Sequence, residues 1–201
     1  MGRSTVHYAD NKTNNALKKL HNKLRPAGTP VQRVEYIIEL LLLRIFETKI
    51  KQDEEFKPLR KLFSADYKWK NPKKGADAPE ETNENRLFSY LPTVSNDQIL
   101  SELNDNFFPF YSSILHSARQ VFEGNLPQKV QDQLVLIEEV FSNSNFTNNV
   151  NSGNLGEVIS IVANDIEEAR LLKTDLLGDA IESALSETGG TKDVGLFRTP
   201  D

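Results

Sequence analysis

An all-α fold is predicted for this chain, on three observations. Apolar residues recur at spacings of three and four through most of its length, the period of a helix face. No stretch sustains the apolar–polar alternation of a half-buried strand, so no convincing strand is expected. Helix-starting and helix-stopping residues sit at the ends of the periodic stretches. The expected architecture is an irregular bundle of about seven helices with one long basic loop. No repeat of solenoid period competes with it.

Leu17, Leu20 and Leu24 make a short stripe in a first helix, which stops at the turn Arg25-Pro26-Ala27-Gly28. Thr29 is then a good N-cap, with Pro30 at the first helical position, and the helix it opens runs to about Lys51. Val34, Ile37, Ile38, Leu41, Leu42, Ile45 and Phe46 recur along it, and Leu40 and Leu43 widen the face, so this helix is expected at the centre. Its apolar run from Ile37 to Phe46 is interrupted by Glu39 and Arg44, and is about half as long as a membrane span.

Residues 66–86 carry Lys68, Lys70, Lys73, Lys74, two prolines and a run of Asp, Glu and Asn. They read as a long, mobile loop. Trp69 stands between two of those lysines. Interleaved aromatic and basic residues can bind nucleic acid by stacking plus phosphate contact. The more usual place for a tryptophan is folded back onto the domain.

Ser95 or Asn96 is expected to cap the next helix, with Ile99, Leu100, Leu103 and Phe107 inward and a break or kink at Pro109. Ile114, Leu115, Ala118, Val121 and Phe122 continue the helical period up to a break at Gly124 to Pro127. Val130, Leu134, Ile137 and Phe141 form a clean stripe, followed by a polar loop from Ser142 to Gly153. Leu155, Val158, Ile159, Val162 and Ile166 mark another helix. A last one covers Asp175 to Leu185, with Gly189-Gly190 just beyond it.

The absence of cysteine excludes a disulfide framework, thiol catalysis and cysteine-based zinc sites, and it fits a cytoplasmic protein. The polar stretch MGRSTVHYADNKTNN has no apolar signal core. Net charge is −5, but it is unevenly spread. Residues 1–75 hold 17 basic against 8 acidic side chains, a net of +9, which leaves −14 on residues 76–201. A basic half suggests contact with a polyanion; the plainer reading is two halves that attract one another.

His7, His21 and His116 are far apart in sequence and form no metal-ligand pair. No phosphate-binding loop and no nucleophile elbow are present. The aromatic run Phe107-Phe108-Pro109-Phe110-Tyr111 could hold a flipped base, although packing around a proline kink is the simpler account. Glu167-Glu168 is most simply a solvated face.

Two segments point further. The first is Leu24-Arg25-Pro26, followed by Val34-Glu35-Tyr36 and by Leu40 through Glu47. The second is Asp175-Leu176-Leu177-Gly178-Asp179-Ala180-Ile181-Glu182, followed by Gly195-Leu196-Phe197-Arg198-Thr199-Pro200. Together they resemble the N-terminal helical part of the modification subunit of type I restriction-modification systems. In that family a short helix and an "LR" turn precede a long apolar helix, and a "DxLGxxYE" helix leads into "GxFxTP". Ile181 stands where the family has an aromatic residue, and Asp201 where it has a basic one.

The resemblance implies an enzyme family that moves a methyl group from S-adenosylmethionine to the N6 amine of adenine in DNA. It implies a helical domain over residues 1–188. Residues 189–201 would be a linker and the start of an α/β catalytic domain. Leu196, Phe197, Arg198, Thr199, Pro200 and Asp201 would form the cofactor-facing edge. The glycine-rich cofactor loop and the "NPPF" or "NPPY" motif of that domain do not occur, and Asn71-Pro72-Lys73 cannot replace the latter. The chain by itself is therefore expected to be inactive. Implied partners are DNA, the specificity subunit and a second modification subunit. The expected DNA contacts are Lys68, Lys70, Lys73 and Lys74, with Lys18, Lys19, Lys23 and Arg25 as a second patch, all to phosphates. The rival reading is a helical protein-interaction module with no role at DNA.

Overall fold

A computed structural model describes residues 11–150 and 152–173. Within them the chain is helical, as its periodicity predicts. α1 (Asn11–Leu24) buries Leu17, Leu20 and Leu24 and ends in a 3-10 turn at Arg25–Ala27. Thr29 caps α2 (Pro30–Gln52) through a reciprocal box. Its hydroxyl accepts from the Gln32 amide at 3.3 Å, and the Gln32 side chain accepts from the Thr29 amide at 2.9 Å.

α2 is covered on nearly every side. Val34, Tyr36, Ile37, Ile38, Leu40, Leu41, Leu42, Leu43, Ile45, Phe46 and Ile50 are all buried. A helix that is apolar all round must be wrapped, and α1, α6 (Gln128–Phe141), α7 (Ser152–Asn164), α8 (Glu168–Leu171) and the 3-10 segments Lys57–Phe63 and Phe88–Thr93 wrap it. The stripe Val130, Leu134, Ile137 and Phe141 is the face that α6 turns inward. α1 lies along α7, whose buried residues are Leu155, Val158, Ile159 and Val162.

Three expectations change. α3 (Ile99–Glu102) starts without a side-chain cap from Ser95 or Asn96, because the turn Ser95–Gln98 closes on backbone instead. Pro109 does not break the helix. The chain passes from α3 through a π turn (Leu103–Phe107) into α4 (Phe108–Tyr111), and the wider turn absorbs the missing proline N–H. Residues 66–86 are not a mobile loop. They form a small hairpin in which β1 (Lys68–Trp69) pairs antiparallel with β2 (Glu81–Thr82). Its ladder is two residues long, too short to leave an alternation in the sequence.

α5 (Ile114–Val121) is followed by the expected break, where Glu123 and Gly124 both adopt positive φ, 51° and 85°. In the Asn-rich loop after α6, Phe146 is buried against Tyr36 and Phe108. Asn104 clamps it: its side-chain amide donates to the Phe146 carbonyl at 2.9 Å and accepts from the Phe146 amide at 2.8 Å. The helix expected at 175–185 lies outside the described residues.

Replacing Asn104 by Ala removes both bonds and leaves the Phe146 backbone unsatisfied. The expected loss is about 1–3 kcal/mol of stability, read as a lower urea midpoint with an unchanged slope.

Candidate functional site

The hairpin is fixed by what Pro109 leaves open. Without an N–H at Pro109, neighbouring carbonyls of the π turn lack a helical donor. Asn71 Nδ2 donates to the Asp105 carbonyl at 2.8 Å, and Lys73 Nζ donates to the Asn104 carbonyl at 3.1 Å. Asn71 Oδ1 also accepts from the Lys73 amide at 3.0 Å, which starts the 3-10 turn Pro72–Lys74. Behind the hairpin runs an ionic chain. Lys74 meets Glu81 at 2.6 Å, Glu81 meets Arg86 at 3.7 Å, and Arg86 meets Glu102 at 2.9 Å. Arg86 is buried, so this chain is shielded from solvent more than a surface pair would be. Trp69 packs edge-on against Phe110, with ring centroids 5.2 Å apart.

The four lysines of this segment divide into two kinds. Lys73 and Lys74 are exposed but engaged, Lys73 with the Asp105 carboxylate at 2.6 Å and Lys74 with Glu81. Lys68 and Lys70 are exposed, and no ion pair among the described residues holds them. They flank Trp69, whose ring is buried and offers no face for stacking.

The second basic patch lies on α1 and is largely drawn into the fold. Lys23 pairs with Glu157 of α7 at 2.6 Å, and Lys19 reaches Asp165 at 4.0 Å. Lys18 and Arg25 are exposed. The two patches sit on different elements, one on α1 and the other on the hairpin. Part of the basic half therefore neutralises the acidic half within the molecule.

Phe107, Phe108, Phe110 and Tyr111 are all core residues, and the Tyr111 hydroxyl donates to the Arg86 carbonyl at 2.6 Å. A buried cluster of this kind holds the fold. Glu167 and Glu168 are exposed, as a solvated face requires. His21 is buried and His116 is exposed. His7 and the whole stretch Leu196, Phe197, Arg198, Thr199, Pro200 and Asp201 lie outside the described residues. Among the described residues no three His, Asp or Glu side chains gather as metal ligands. None of their helices is long and apolar enough to cross a membrane.

One feature of α2 escaped the reading of the sequence. Glu39 is buried, with its Oε1 hydrogen-bonded by the Ser144 hydroxyl and its Oε2 without a partner. Burial, opposed by the Ser144 bond and reinforced by nearby Glu35, raises this carboxyl from 4.5 to about 8. Its signal was a carboxylate inside an otherwise apolar run.

These features define a class: a helical domain with a fixed basic hairpin and, among the described residues, no catalytic constellation. Residues 13–162 match the family model of the HsdM N-terminal domain. The chain belongs to that family, the N-terminal domain of the type I restriction-modification modification subunit. No curated protein and no solved structure matches it.

Glu39 links stability to pH. Its folded-state value lies above its unfolded one, so its contribution is complete below about 4.5 and disappears as pH rises to about 8. Urea unfolding of the unaltered chain is expected to show lower stability at about pH 8.5 than at about pH 5, and Glu39→Gln to remove most of that difference.

Proposed function

We propose that this domain helps a type I modification subunit close around duplex DNA, with Lys68 and Lys70 contacting phosphates. The observation that carries the reading is their state. Both are exposed on a hairpin held by Asn71, Lys73 and the ionic chain behind it, and neither is spent on an ion pair among the described residues. A fixed platform loses less entropy on binding than a mobile loop would. Lys73 and Lys74 then position the hairpin, and Lys18 supplies a weaker second contact. Such contacts are blind to base sequence.

In our reading this domain belongs to a protein whose chemistry lies in another domain. We read that chemistry as transfer of a methyl group from S-adenosylmethionine to the N6 amine of adenine. We propose residues 1–188 as the helical domain and residues 189–201 as the lead into a catalytic domain. The stretch Leu196 to Asp201 is proposed as the cofactor-facing edge. The specificity subunit and a second modification subunit are the proposed partners.

A second reading, a protein-docking module without DNA contact, is favoured by one observation. Val135 and Leu136 stand side by side on α6, 36% and 40% exposed. Salt separates the two readings, since phosphate contacts weaken steeply with salt and apolar docking does not.

Binding to a fluorescent duplex should fall steeply across a salt series. The double variant Lys68→Ala, Lys70→Ala should lower the slope of log affinity against log salt by about two. Lys73→Ala with Lys74→Ala should act less on the slope than on stability. An unchanged slope in the first variant would remove the hairpin from the interface.

A further inference from the structure

Between α2 and α6 opens a cavity of about 260 Å³, lined by Glu35, Ile38, Glu39, Glu139, Val140 and Asn143. Three carboxyl groups from two helices face it, and no basic residue is among its walls. Glu35 and Glu139 are exposed, so they stand at the mouth. Glu39 is 7% exposed and forms the floor. Ser144 satisfies one of its oxygens; the other is buried with no hydrogen-bond partner. An orphaned carboxyl oxygen in the interior is costly, and once the carboxyl ionises it is a vacancy for a donor.

The surroundings restrict what that donor is. On α6, Val135 and Leu136 precede Glu139 and Val140 by one helical turn, which puts them on the same side of the helix. With Leu172 they are the large apolar side chains most open to solvent among the described residues. An acidic pocket bordered by open apolar surface complements a basic side chain on an apolar segment. A divalent ion fits less well. It needs oxygens gathered at roughly 2.0–2.6 Å, and these carboxylates do not gather as metal ligands.

We propose that this pocket receives an arginine or lysine side chain from a partner protein, with neighbouring apolar residues of that partner covering Val135 and Leu136. An arginine head has five donors in a planar fork, enough to reach the free oxygen of Glu39 and a carboxylate at the mouth together. Without a cation, burial favours the protonated Glu39 carboxyl below about pH 8. The other titratable groups lining the pocket are Glu35 on the same helix and Glu139 on α6, both acidic. An entering cation expels the Glu39 proton, so binding strengthens as pH rises. The pocket shares no residue with the lysine hairpin, and the inference does not rest on DNA contact.

The test is a nuclear magnetic resonance titration of the whole 201-residue chain. The probe is acetyl-Leu-Arg-Leu-amide, at about pH 6 and about pH 8.5, and the control carries citrulline in place of arginine. Saturable shifts are expected at the amides of residues 35, 39, 139 and 143, tighter at the higher pH and absent with citrulline. Glu39→Gln should weaken binding at least about tenfold. If that variant folds poorly, Glu35→Gln with Glu139→Gln, which alters only exposed positions, should weaken it as well. Shifts that do not saturate, or that persist unchanged in both variants, would overturn the proposal. So would saturation of the same amides by magnesium ion alone, which would make the pocket a metal site.

Discussion

The burial of α2 is the constraint on which the other elements depend. Its apolar residues point in every direction, so the chain must supply cover on every side. Cover brings a second demand, because α2 also carries polar side chains into the interior, and each needs a partner. Glu47 accepts from the Ser89 amide at 2.7 Å and from Lys51 at 2.6 Å. Thr48 donates to the Arg44 carbonyl at 3.0 Å. Arg44 donates to the carbonyls of Val162 and Ile166, closing the C-terminal end of α7. The interactions that satisfy α2 thereby fix the 3-10 segment Phe88–Thr93 and α7 in place. Glu39 is the member of this set left half satisfied.

Much of this was legible in the residues. Thr29, Pro30 and Gln32 encode the start of α2 locally, and the stripe from Val130 to Phe141 encodes the inward face of α6. These signals are short-range, and the structure repeats them. What was hidden depends on residues distant in sequence. The order of the hairpin comes from Asn71 and Lys73 reaching carbonyls near Pro109, more than thirty residues on, while its own ladder is only two residues long. A segment rich in Lys, Asp, Asn and Pro looks mobile when its partners are not visible. Phe146 was hidden for a similar reason: a single aromatic in a polar run becomes an anchor only because Asn104 holds its backbone.

The charge asymmetry also resolves into separate parts. Lys19, Lys23 and Lys73 meet Asp165, Glu157 and Asp105 across the boundary between the basic and acidic halves. Exposed pairs of this kind each contribute little to stability, at most about 1 kcal/mol. Their effect is to reduce the charge left for a polyanion. Of the lysines in the hairpin, that leaves Lys68 and Lys70.

In the proposed function the hairpin is a fixed platform whose Lys68 and Lys70, unpaired among the described residues, meet DNA. Hydrogen exchange at the amides of residues 68–74 and 81–82, with and without a DNA duplex, tests it most directly. A fixed platform should show slow exchange at the Trp69 and Lys74 amides in the free protein, and further slowing around Lys68 and Lys70 when duplex is added. Exchange at the rate of an unstructured chain, unchanged by duplex, would contradict it.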